Sequence, residues 1–76
     1  MNNELNLKQL GMNLKNLREN EGLFQTEIAE IIGISSNTYA RWERGEMEPK
    51  LGAFSRLSQY FKVEMEKIIN YQSVPR

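Results

Sequence analysis

Gly33 stands between two short stretches, Gln25 to Ile32 and Ser36 to about Arg44, that each read as helix, and nothing else in the chain constrains the fold as tightly. Ile28, Ala29, Ile31 and Ile32 form the apolar set of the first stretch. Ala29 is small enough to let the second stretch approach closely, and Ile34 follows the glycine as an apolar plug for the inside of the corner. Glycine takes the left-handed backbone conformation of a tight turn without a Cβ penalty. Ser35 is placed to cap the second stretch by accepting a hydrogen bond from a free backbone N–H, and Gly45 is placed to end it.

The rest of the chain supplies more helix. Leu7, Leu10, Leu14 and Leu17 recur at steps of three and four, one face of an amphipathic helix that should end near Gly22. Pro49 is tolerated at or before a helix start, so a fourth helix should begin near Lys50 with Leu51, Phe54, Leu57 and Phe61 inward. A short fifth helix over 64–70 would bury Met65, Ile68 and Ile69. The expectation is an all-α fold, a compact bundle of about five short helices over residues 7–70. A mobile arm over 1–6 and a tail over 71–76 flank it. The two central helices and their turn have the layout of a helix-turn-helix.

Composition narrows the chemistry. The chain has no His, no Cys and, all ten acids being Glu, no Asp. Common zinc sites need His or Cys, and nucleophile–base pairs usually do too. The five glycines are spread along the chain and form no phosphate loop. No catalytic site, metal or cofactor is therefore expected. No apolar run approaches the roughly 20 residues that span a bilayer, and the N-terminus Met1-Asn2-Asn3-Glu4 lacks the charge and apolar core of a signal peptide. The expected location is the cytoplasm.

At 100° per residue, the third helix has two faces. Tyr39, Trp42 and Glu43 share one side, which should face the core. Asn37, Arg41 and Arg44 lie opposite, with Ser36 and Ala40 beside them. Three segments then stand in order: Gly11-x-x-Leu14-x-x-Leu17-Arg18-Glu19, Gly22-Leu23-x-Gln25-x-Glu27-Ile28-Ala29-x-x-Ile32-Gly33-Ile34-Ser35, and Trp42-Glu43-Arg44-Gly45-x-x-x-Pro49. Their order and spacing resemble the Cro/phage-repressor (XRE) helix-turn-helix family over about residues 7–70. The resemblance implies a five-helix bundle that regulates transcription, in most cases represses it. It also implies a third helix that enters the major groove of double-stranded DNA, and a homodimer on two-fold-related half-sites.

The resemblance also implies site residues. Ser36, Asn37 and Arg41 match the positions that read bases; Arg41 suits guanine and Asn37 suits adenine, each in bidentate fashion. Ala40 is suited to a thymine methyl, or is simply a good helix former. Gln25, Ser35 and Arg44 match phosphate-contacting positions. Each also has a plainer role: a solvent-facing polar residue for Gln25, a helix cap for Ser35 and a charge at a helix C-terminus for Arg44. Arg18 and Glu43 match a partly buried ion pair that ties the first helix to the third. Met65, Ile68, Ile69 and Tyr71 are the candidate dimer surface, the alternative being that they only close the monomer core.

Charge is the departure from the family pattern. The net charge is zero, whereas nucleic-acid-binding domains usually carry a basic excess. Between Leu23 and Gly45, two arginines face three glutamates, and Glu46 and Glu48 follow in a loop where many family members carry Lys or Arg. Lys8, Lys15 and Lys50 offset this if they face the DNA backbone. The balance also motivates a second reading, a protein-interaction module of the same fold, such as an antitoxin that binds a protein partner and holds DNA weakly.

Overall fold

The computed structural model describes residues 6–70 of the chain. Five helices run in order, α1 (Leu7–Asn20), α2 (Gln25–Ile32), α3 (Ser36–Arg44), α4 (Leu51–Phe61) and α5 (Met65–Asn70), with no strand among the described residues. The expected arm, except Asn6, and the tail over 71–76 lie outside the described residues. Asn6 itself caps α1, its Oδ1 accepting from the Gln9 backbone N–H at 3.0 Å.

Local signals set most helix ends. Ser35 Oγ accepts from the Thr38 N–H at 3.0 Å and starts α3. Gly33 ends α2 at φ 78°, ψ 35°, and this left-handed turn lets the Ile34 N–H reach back to the Ala29 carbonyl at 2.9 Å. Glu27 closes the start of α2 by accepting from the Phe24 N–H at 2.8 Å. Lys50 starts α4 without a side-chain cap.

Eleven apolar residues drawn from all five helices form the core: Leu10, Leu14, Ile28, Ala29, Ile32, Tyr39, Trp42, Ala53, Phe54, Leu57 and Ile68. The Tyr39 and Trp42 rings pack together, centroids 5.9 Å apart. Burying these side chains is the main favourable term for a chain too short to carry a large core. One expectation needs correction. Leu51 is 72% exposed, because Ala53, Phe54 and Leu57 set the inward direction of α4 and Leu51, on the same first turn as Ala53, points away from it. Of the two alternatives left open for α5, Ile68 at 1% exposure belongs to the monomer core, as the periodicity expects, while Met65 and Ile69 are half-buried against that core. Tyr71 lies outside the described residues.

Polar side chains also tie the helices together. The buried Asn13 donates from Nδ2 to the Ile68 carbonyl and accepts from Gln9 Nε2 at 2.9 Å, tying α1 to α5. Arg56 Nε donates to the Ile32 carbonyl at 2.9 Å, so α4 closes the last turn of α2. Lys8 Nζ donates to the Arg44 carbonyl at 2.9 Å, closing the end of α3 from α1. A cation at a helix C-terminus meets the negative end of its dipole.

Candidate nucleic-acid interface

The buried side of α3 fixes which residues the helix can show to a partner. Tyr39 and Trp42 are 0% and 2% exposed, and Glu43 points the same way. Two aromatic anchors one turn apart set the rotation of the helix about its axis. Ser36, Asn37, Arg41 and Arg44 are consequently exposed, and Ala40 is half-buried beside them.

Behind this face lies an ion pair. Arg18 donates from Nε to Glu43 Oε2 at 2.7 Å and from Nη2 to Oε1 at 3.0 Å, a two-pronged contact between α1 and α3. Its Nη1 donates to the Leu23 carbonyl at 2.8 Å. Gln25 Nε2 donates to Glu43 Oε1 at 3.0 Å, so α2 joins the same carboxylate. Burial alone would raise the Glu43 carboxyl pKa. The bonds from Arg18, the nearness of the Tyr39 hydroxyl, the bond from the Gln25 amide and the Arg18 charge outweigh burial and hold it below the ordinary carboxylate value. Burial, and then that carboxylate, push the Tyr39 hydroxyl far above the usual phenol range.

A pH dependence follows. The folded state holds Glu43 more acidic than the unfolded chain does, so the pair adds stability above the unfolded value of about 4.3 and loses it as pH falls through the lowered folded value. Thermal melts from pH 7 to 3 should show Glu43→Gln and wild type converging at the acid end. Equal acid sensitivity of the two proteins across that range would contradict this.

The expected site residues separate into groups. Asn37 and Arg41 are exposed, and among the described residues no hydrogen bond or ion pair takes the Arg41 guanidinium. Ser36 lies beside them on the first turn. Ser35 is occupied locally, capping Thr38 and donating its own hydroxyl to Thr38 Oγ1 at 2.9 Å. Gln25 is half-buried and engaged with Glu43 through one amide N–H, which leaves its second N–H for an outside acceptor. Arg44 is not free: its guanidinium donates to Glu46 at 2.9 and 3.2 Å. Sequence reasoning missed this last pair. It had flagged Glu46 as an acidic residue in the wrong place, but pairing across Gly45 depends on the left-handed turn there, at φ 72°.

Two short helices joined by a tight left-handed turn, the second anchored by aromatics and showing a polar face, define a helix-turn-helix domain. A family model described as helix-turn-helix matches residues 14–68, and the chain belongs to this XRE-type helix-turn-helix family. It is similar to the cryptic phage CTXphi transcriptional repressor RstR of Vibrio cholerae, at 32% identity over 57 residues covering 75% of this chain and 51% of that one. It is also similar to the antitoxin PezA of Streptococcus pneumoniae, at 35% identity over 79% of this chain and 38% of that one. Among solved structures, the restriction-modification controller protein C.AhdI of Aeromonas hydrophila superposes with a TM-score of 0.75 at 26% identity, covering 82% of this chain and 94% of that one. The chain spans about half the length, or less, of the curated relatives it matches. Among the described residues, no helix is long and apolar enough to cross a membrane.

Proposed function

We propose that the chain is a sequence-specific, double-stranded-DNA-binding transcriptional regulator, a repressor, that sets α3 in the major groove as one half of a homodimer. The observation that carries this reading is the two-sided α3. Its aromatic side is spent in the core, so Ser36, Asn37 and Arg41 project outward from a rigid element with Arg41 unpaired in the described structure. Arg41 is suited to guanine O6/N7 and Asn37 to adenine N6/N7, with Ser36 and Ala40 adding smaller base contacts. Gln25, Ser35 and Arg44 hold the backbone phosphates and set the docking register. The repressor RstR and the controller protein C.AhdI support the same reading by similarity.

Arg41→Ala and Asn37→Ala test it. Each should weaken binding to the preferred site by about 10- to 100-fold, corresponding to roughly 1–3 kcal/mol per bidentate base contact. Melting temperature should hardly move, because both side chains are exposed. Unchanged affinity in both variants, measured by titration of a fluorescent duplex, would contradict the assignment.

A second reading is favoured by the similarity to the antitoxin PezA and by the zero net charge. In it, the domain neutralises a protein partner and DNA binding is secondary. Folded protein with no duplex affinity at low salt, together with a stoichiometric co-purifying protein, would select this reading over the first.

A further inference from the structure

The loop after α3 puts a carboxylate where docking calls for a phosphate. Glu46 receives the Arg44 guanidinium in two near-parallel bonds, Nε to Oε2 at 2.9 Å and Nη2 to Oε1 at 3.2 Å. This is the fork geometry with which a guanidinium takes a phosphate. Other cations gather at the same place. Lys8 is fixed there by its bond to the Arg44 carbonyl. The Arg44 bond first, then the charges of Arg44, Arg41 and Lys8, draw the Glu46 carboxyl below its ordinary pKa. Arg44 thus holds the acceptor, with Lys8 bonded to the carbonyl beside it and Arg41 one turn back on α3, all four side chains belonging to exposed residues. An anion seat is present, and the chain fills it with its own carboxylate.

We propose that Glu46 is an in-chain competitor for DNA phosphate, occupying the Arg44 fork in the free protein and being displaced when α3 docks. The inference rests on the DNA-binding reading above and concerns regulation of that same face. Both partners are about half exposed, at 52% and 50% of their side chains. Such a pair is weak and reversible, so it attenuates phosphate contact rather than blocking it. Phosphate contacts supply nearly all non-specific binding. The competitor therefore lowers affinity for any duplex, preferred or arbitrary, while the base contacts by Asn37 and Arg41 still choose the site.

Glu46→Gln keeps the shape and removes the charge. Non-specific affinity for a random-sequence duplex should rise roughly three- to tenfold at low salt, as expected for one better phosphate contact. The plot of log affinity against log salt should steepen by about 0.9, because the displaced carboxylate no longer holds back a counterion at the DNA surface. In an Arg44→Ala background the same substitution should gain almost nothing, since the effect passes through the Arg44 fork. No gain in Glu46→Gln, or an equal gain with and without Arg44, would overturn the proposal. Failure of the underlying reading looks different. A wild-type protein that binds a preferred site and loses it in Arg41→Ala, yet ignores Glu46→Gln, removes the competitor and keeps the regulator. Folded wild type and Glu46→Gln that both fail to bind duplex at low salt remove both.

Discussion

Glu43→Ala is expected to cost about 3–5 kcal/mol, the usual penalty for leaving one partner of a buried ion pair alone. The Glu43 side chain is 4% exposed and that of Arg18 11%. Glu43 accepts two bonds from Arg18 and one from Gln25, and so joins α1, α2 and α3 at a single carboxylate. Alanine removes all three and leaves the mostly buried Arg18 charge only the exposed Glu19 carboxylate, 3.9 Å from Nη2. The Leu23 carbonyl remains as a partner for Nη1, which satisfies one donor but not the charge. Total stability for domains is about 5–15 kcal/mol, so a loss of this size should unfold a large share of the protein near body temperature. Replacing both members together, Arg18→Met with Glu43→Leu, should be far milder, because no unpaired charge is left. Urea titration of the two single variants and the double variant gives the coupling directly. A cost under about 1 kcal/mol for Glu43→Ala would show that solvent screens the pair as it does at a surface.

Gly11→Ala is the second large effect, and its sign opposes helix propensity. In an exposed helix interior, alanine is better than glycine by about 1 kcal/mol. Gly11 lies where α1 crosses α3, and a methyl group there would overlap the Glu43 carbonyl oxygen and stand 2.7 Å from the Trp42 carbonyl oxygen. These are backbone atoms, so no rotamer change relieves the clash. The helices must move apart, which also strains the Arg18–Glu43 contact a little further along the same seam. Overpacking of this kind costs about 1–3 kcal/mol and sometimes more. The melting temperature should fall by roughly 4–8 °C per kcal/mol lost in a domain of this size. A variant as stable as wild type would contradict this close crossing of α1 and α3.

How much of this was legible in the sequence depended on whether the cause was local. The bounds of α2 and α3 match the sequence expectation because their stops and caps are local: Gly33 and Gly45 in left-handed turns, Ser35 on Thr38. The inward side of α3 was legible too, since Tyr39 and Trp42 are one turn apart and too large to leave outside. Leu51 misled because steps of three and four mark only a broad stripe, and the small Ala53, buried beside Phe54 and Leu57, turns the inward direction away from it. The burial of Ile68 was legible, but not what buries it: a short apolar helix looks the same whether it closes a monomer or a dimer. Gly11 stood in the sequence as one glycine among five, and only the crossing of two helices far apart in the chain gives it a role. The buried Asn13 latch on the Ile68 carbonyl spans 55 residues, and nothing near Asn13 announces it. Within the candidate site, the exposed face could be read from the sequence, whereas the engagement of Gln25 with Glu43 and of Arg44 with Glu46 could not.

The central claim is that the exposed face of α3 reads DNA sequence. The most direct test is selection from a random-sequence duplex library with the purified chain, at low and moderate salt, followed by sequencing of the retained duplexes. The account predicts enrichment of a two-fold-symmetric site, its half-sites about one helical turn apart, and loss of that enrichment in Arg41→Ala. Retained duplexes with no shared sequence at either salt concentration, from protein shown to be folded, would contradict it.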